Sequence, residues 1–154
     1  VVVPAAGQHP QEQGVPPVRA SFAIIDSVGR RIGTLSATDA ADGVTFQLEV
    51  SRLTAGLHGM HLHAKPACGR PDFASAGGHL NPGGKAHGRL NPEGAHLGDL
   101  PNLQVDRGGE ARLSFVIPGV TLRAGPASIG VPGSAFILHA GQDDERTDPA
   151  GNSG

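Results

Sequence analysis

The chain has 154 residues, enough for one domain around one core, and its 12 Lys plus Arg against 14 Asp plus Glu leave a formal charge of −2, without the basic footprint of a nucleic-acid binder. No apolar run approaches the ~20 residues that cross a bilayer as a helix, and no basic-then-apolar leader opens the numbered chain. With 24 Gly, 13 Pro, no Trp and no Tyr, the composition predicts many short strands joined by turns and ordered loops.

Residues 1–17 carry Gln, Pro and Gly without periodicity and read as a flexible lead-in, of the kind that tethers a domain to an anchor lying before Val1; the domain itself is expected over 18–154. Val18 to Ile25 and Arg31 to Thr38 are β-branched and apolar on either side of Ser27-Val28-Gly29, which predicts a hairpin. After a turn at Asp42-Gly43, Val44, Phe46, Leu48 and Val50 alternate with Thr45, Gln47 and Glu49. This period of two predicts a half-buried strand whose apolar face meets a second sheet. His58 to His63 is a further extended run. Residues 64–102 then hold Gly, Pro and His with almost no apolar periodicity, a loop so long that a metal is the natural source of its cross-links. Strands are expected again at Leu103 to Val105, Ala111 to Ile117, Ala127 to Val131 and Ala135 to His139, and Gly141 to Gly154 is polar. About seven short strands at this spacing predict an all-β antiparallel sandwich or barrel with Greek-key connections.

Seven of the eight histidines fall between His58 and His139. His61 and His63 are two apart on a strand, so both imidazoles face one way while Leu62 turns to the core. A His-x-His pair alone is common on a solvent-facing strand; here it is followed by His79, His87, His96 and Asp99, spaced by eight, nine and three residues through Gly and Pro turns. Three imidazoles and a carboxylate suit a closed tetrahedral zinc site. His139, on a late strand, completes a four-nitrogen set with His61, His63 and His79 that suits tetragonal copper. His79 then serves both metals, as an imidazole can when two dications stabilise its anion.

The wording Gly56-Leu57-His58-Gly59-Met60-His61-Leu62-His63, then Ala76-Gly77-Gly78-His79-Leu80-Asn81-Pro82, His87-Gly88 and His96-Leu97-Gly98-Asp99-Leu100, closely resembles the copper-zinc superoxide dismutases, in the branch secreted by bacteria. The resemblance runs from about Val18 to Gly154 and fills every metal-ligand position. It implies an eight-stranded Greek-key β-barrel or flattened sandwich with long metal-binding and electrostatic loops. It also implies superoxide as substrate, copper and zinc as cofactors, a monomer or homodimer, and a location outside the cytoplasm (periplasmic, secreted or anchored to the envelope). By the same resemblance, Asp143 is the carboxylate that hydrogen-bonds a copper ligand and a zinc ligand, here His61 and His87, and His58 packs beneath the site without ligating. Cys68 resembles the first half of the family's disulfide. The family's last strand, with its second cysteine and anion-guiding arginine, is expected beyond Gly154, and Lys85 and Arg146 are candidate substitutes for guidance. His9, in the lead-in, is expected to have no role. The competing readings are a catalytically weak or inactive copper- and zinc-binding module on the same fold, and a two-metal hydrolase, which so nearly all-imidazole a donor set disfavours.

Overall fold

The computed structural model describes residues 16–130 and 132–154. Among these residues eight strands follow one another: β1 (Arg19–Ile25), β2 (Arg31–Ala40), β3 (Gly43–Val50), β4 (Gly56–His58), β5 (Met60–His63), β6 (Leu103–Val105), β7 (Ala111–Pro118) and β8 (Ala135–Leu138), with one 3-10 turn at Ala74–Ala76. The lead-in expected over 1–17, His9 included, lies outside the described residues up to position 15.

The first three strands form the hairpins that their turn residues predict. Asp26 caps the β1–β2 turn by accepting the amides of Val28 and Arg30 and pairing with the Arg30 guanidinium at 2.7 Å. The β3 strand does not pair with the next strand in sequence. It pairs with β7, giving a four-stranded antiparallel sheet in the order β1-β2-β3-β7. The chain between them crosses to the opposite layer, where β4 pairs with β6 and β5 with β8.

The alternation read from the sequence determines what each layer buries. Val44, Phe46, Leu48 and Val50 are all inside, and the register places Leu48 between Leu35 of β2 and Leu113 of β7. Phe46 stands opposite Phe115 with the rings stacked at 5.1 Å. Met60, Leu62, Leu103 and Val105 close the core from the other layer. Each such side chain contributes about 1.5–3 kcal/mol by leaving water.

Two expectations change. The single extended run from His58 to His63 is divided at Gly59 into strands with different partners. Gly59 donates to the Gly141 carbonyl at 2.8 Å and accepts from the His139 amide at 2.9 Å, and a Cβ there would stand 3.0 Å from the Ser153 side chain. The strand expected over Ala127 to Val131 does not form in its described part: Ser128 makes one isolated bridge with Thr121, and the surrounding residues are turns. Flanking glycines explain this. Gly125 has a φ of 150°, and Gly130 packs against the Leu122 main chain, so the segment loops back on 121–122 and plugs Ile129 into the core.

Candidate metal centre

The site is assembled on β5. One edge of this strand is paired with β8; the other receives the long 64–102 loop, which docks through Leu62 N to Gly98 O (2.9 Å), Leu80 N to Leu62 O (2.8 Å) and Ala64 N to Gly78 O (2.9 Å). The loop that lacks apolar periodicity is thus held as a strand-like edge. Isolated bridges set Asp99 opposite His61 and His79 opposite His63.

His61, His63, His79 and His139 come together so that one donor atom from each lies within 4.8 Å of every other. In each ring one nitrogen has a fixed partner. His63 Nδ1 donates to the Gly77 carbonyl at 2.7 Å and His139 Nδ1 to the Gly154 carbonyl at 2.6 Å. A carbonyl only accepts, so these nitrogens carry the protons and leave Nε2 as a bare lone pair. His61 Nε2 donates to Asp143 Oδ2 at 2.7 Å, which exposes its Nδ1 in the same sense. Four atoms result that are buried and without a hydrogen-bond partner: His61 Nδ1, His63 Nε2, His79 Nε2 and His139 Nε2. Four converging, unpartnered lone pairs are costly in a folded protein unless a cation sits between them. Burial disfavours the charged form of three of these rings: the pKa of His61 is pushed down to about 4, and those of His63 and His139 also fall. The donor set fits copper in type and number.

A second group lies on the far side of the His79 ring. Asp99 Oδ1 is 3.0 Å from His79 Nδ1, 3.0 Å from His87 Nδ1 and 3.1 Å from His96 Nδ1, and the His79 and His96 Nδ1 atoms are 3.2 Å apart. Donors about 2.0 Å from a tetrahedral ion stand ~3.3 Å from one another, so the spacing matches a small cation's shell. One donor grouping on this side, with its atoms within 4.8 Å of one another, counts His61 with His79, His87 and Asp99. His61, however, has one nitrogen on Asp143 and the other among the unpartnered four, so His96 is the better fourth member. Asp99 Oδ2 accepts the amides of Gly88 at 2.9 Å and His96 at 3.0 Å. Burial alone would raise the Asp99 pKa; the His79 hydrogen bond and these amides outweigh it and hold the carboxyl well below its usual range.

Asp143, 2% exposed, stands behind both groups. Its Oδ2 accepts from His61 and its Oδ1 from His87 Nε2 at 2.9 Å, and these hydrogen bonds keep it ionised against the opposing effect of burial. His58 faces neither group: its Nδ1 meets the His139 carbonyl and its Nε2 the Thr54 carbonyl, each at 2.8 Å. Cys68 is exposed and is the sole cysteine of the sequence. Lys85 is an exposed loop residue whose main chain is clasped by Asn81, and Arg146 reaches the Leu90 carbonyl at 3.4 Å. Sequence reasoning passed over Asn102, which bonds the main chain of Asp143, and Asp148, whose carboxylate accepts the His87 amide. The position of Asn102 just after Asp99-Leu100-Pro101 was the available signal.

Comparison with known proteins agrees with this geometry. Residues 32–154 match the family described as copper/zinc superoxide dismutase (SODC). Superoxide dismutase [Cu-Zn] 1 of Aquifex aeolicus is 41% identical over 134 residues, covering 85% of this chain and 79% of that protein. Among solved structures, a superoxide dismutase-like protein from Bacillus subtilis superposes with a TM-score of 0.82 at 36% identity, covering 87% of this chain and 91% of that one. The copper/zinc superoxide dismutase of Brucella abortus gives 0.69 at 28% identity, covering 88% and 95%. With the two donor groups on one imidazole and these matches along most of its length, the chain belongs to the copper/zinc superoxide dismutase family.

Proposed function

We propose that this chain disproportionates superoxide: two superoxide anions and two protons become one dioxygen and one hydrogen peroxide. The residues that would hold copper are His61, His63, His79 and His139, through the four unpartnered nitrogens, and those that would hold zinc are His79, His87, His96 and Asp99. The observation that carries the reading is the His79 ring, with one nitrogen among the four unpartnered lone pairs and the other against Asp99.

When bound, copper supplies the one-electron couple, and zinc, with its filled d shell, supplies a fixed positive charge. The remaining work falls to the chain. With a cation facing each nitrogen, His79 holds neither ring proton. Its Nε2 would be the atom that takes up a proton from solvent and later passes it to the peroxide, with solvent supplying the second proton. His63 and His139 cannot do the same, because their outward nitrogens are committed to the Gly77 and Gly154 carbonyls. They stay in one tautomer and fix the approach. Asp143 holds the His61 and His87 rings in orientation, as partners behind metal ligands generally do.

The family reading extends to an extracytoplasmic location, residues 1–17 as a lead-in to a domain over 18–154, and Cys68 as half of a disulfide, a bond that suits an oxidising compartment. Metal analysis combined with superoxide-consumption assays on the wild type and His139→Ala tests the function. The expected result is one copper and one zinc per chain with activity in the wild type, and loss of copper and activity with zinc retained in the variant. Both metals present with no activity would assign the chain instead as a metal-binding module.

A further inference from the structure

The carboxylate of Asp143 joins the two donor groups, yet the main chain that carries it belongs to the 141–154 segment, remote in sequence from either. Gly59 and Leu90 hold this segment at the Gly141 and Glu145 carbonyls, and at residue 143 itself the main chain is held by Asn102. The Asp143 amide donates to Asn102 Oδ1 at 2.9 Å, and Asn102 Nδ2 donates to the Asp143 carbonyl at 2.9 Å. A side-chain amide offers one acceptor and donors side by side, as a peptide group does, so Asn102 pairs with residue 143 as a neighbouring strand would. Asn102 is itself well anchored. It precedes Leu103, 1% exposed in β6, and follows Leu100, whose amide donates to the Met60 carbonyl beside His61 at 3.2 Å.

We propose that Asn102 is a positioning residue of the metal centre, acting through the Asp143 main chain to set where the carboxylate meets His61 and His87, and thereby governing zinc retention. The proposal rests on the zinc reading given above. Its physical basis is the tolerance of such sites: a constellation displaced by more than ~0.5 Å loses its geometry, and two 2.9 Å hydrogen bonds across 41 residues of chain tie the Asp143 main chain to the loop that carries Asp99. Glu145 N, which donates to Asp143 Oδ1 at 2.6 Å, moves with the 141–154 segment and cannot serve as a fixed reference for it. Asn102 belongs to the loop that carries Asp99, so one residue ties the exit of that loop to the carboxylate behind His87.

The test is zinc release from the metal-loaded chain into a chromogenic chelator, for wild type, Asn102→Ala, Asp143→Ala and the double variant. Partners behind metal ligands are worth about 10–100-fold in metal affinity, and Asn102, one step further out, is expected to speed release roughly tenfold. In the Asp143→Ala background the Asn102 substitution should add less than about twofold, because effects carried by one group are not additive. Cobalt(II) substituted for zinc reads the same change as an altered visible spectrum. Should Asn102→Ala fail to fold, Asn102→Asp keeps the bond from the Asp143 amide, loses the one to its carbonyl, and leaves no cavity. Release at the wild-type rate in both variants overturns the proposal, as does a tenfold effect that persists without the Asp143 carboxylate, which would mean that Asn102 acts on Asp99 through its own loop. A wild-type chain that takes up no zinc overturns the zinc reading itself, and the proposal with it.

Discussion

Gly151 offers a sharp test of how the carboxylate behind the ligands is held. Its φ is 61°, and a Cβ built there would overlap Asp143 Oδ1, lie 2.6 Å from Asp143 Cγ and lie 2.9 Å from His87 Nε2. Carbon atoms in contact stay about 3.5 Å apart, so Gly151→Ala pushes the Asp143 carboxyl back by roughly 1 Å. The 2.9 Å bond from His87 Nε2 to Asp143 Oδ1 then exceeds the ~3.2 Å limit of a good N–H···O bond, and His87 loses its outer partner. The expected loss in zinc affinity is about 10–100-fold, or ~1.4–2.7 kcal/mol. The left-handed backbone costs a further 1–2 kcal/mol or so in fold stability, which has to be separated from the effect on the metal. Gly84 supplies the control: its φ is 58° and nothing lies within 4 Å of a Cβ placed there. Gly84→Ala pays the same backbone cost without the clash. Chelator competition for zinc, with urea denaturation of the metal-free proteins alongside, separates the two effects. Equal zinc affinity in the two variants would refute the argument.

Three further outcomes follow from the geometry. Leu48→Ala removes a side chain 1% exposed between Leu35 and Leu113 and should destabilise the domain by about 2–5 kcal/mol, read as a lowered urea midpoint with an unchanged slope. In the metal-free protein, burial lowers the pKa of His61 from the ordinary imidazole value of 6.5 to about 4, and lowers those of His63 and His139. Between about pH 6.5 and 4 the unfolded chain therefore binds more protons than the folded one, so stability rises with pH across that window and is lost as pH falls through it; a urea midpoint flat over that range would contradict the burial of these rings. Removing metal should raise hydrogen exchange in 64–102 and 141–154, whose main chain is tied to the donor residues, while the β1-β2-β3-β7 sheet stays protected. Uniform loss of protection would show that the metals hold the whole fold and not the loops.

The strands were legible wherever one face is buried and the other wet. Val44 to Val50 and Ala111 to Ile117 announce themselves because side chains alternate across a pleat, and His61 and His63 share a face for the same reason. The turn over Ala127 to Gly130 is not legible in the same way, because apolar residues between glycines look alike whether they pair or turn back on themselves, and the close approach of Gly130 to Leu122 is a property of two segments together. The break at Gly59 is of the same kind: the partners that divide β4 from β5 come from residues 139 and 141.

For the site, the candidate donors could be read along the chain, since imidazoles and a carboxylate at these intervals suit a metal, and the structure brings His61, His63, His79 and His139 together and His79, His87 and His96 around Asp99. Which nitrogen of His61, His63 and His139 faces inward is set by packing, because it depends on carbonyls at Gly77 and Gly154 and on a carboxylate at Asp143 that take the other nitrogen. The same holds for the clasp of Asn102 on Asp143. Periodicity and spacing record what a residue does relative to its neighbours along the chain; a hydrogen bond across 41 or 82 residues exists only once packing has brought the two ends together.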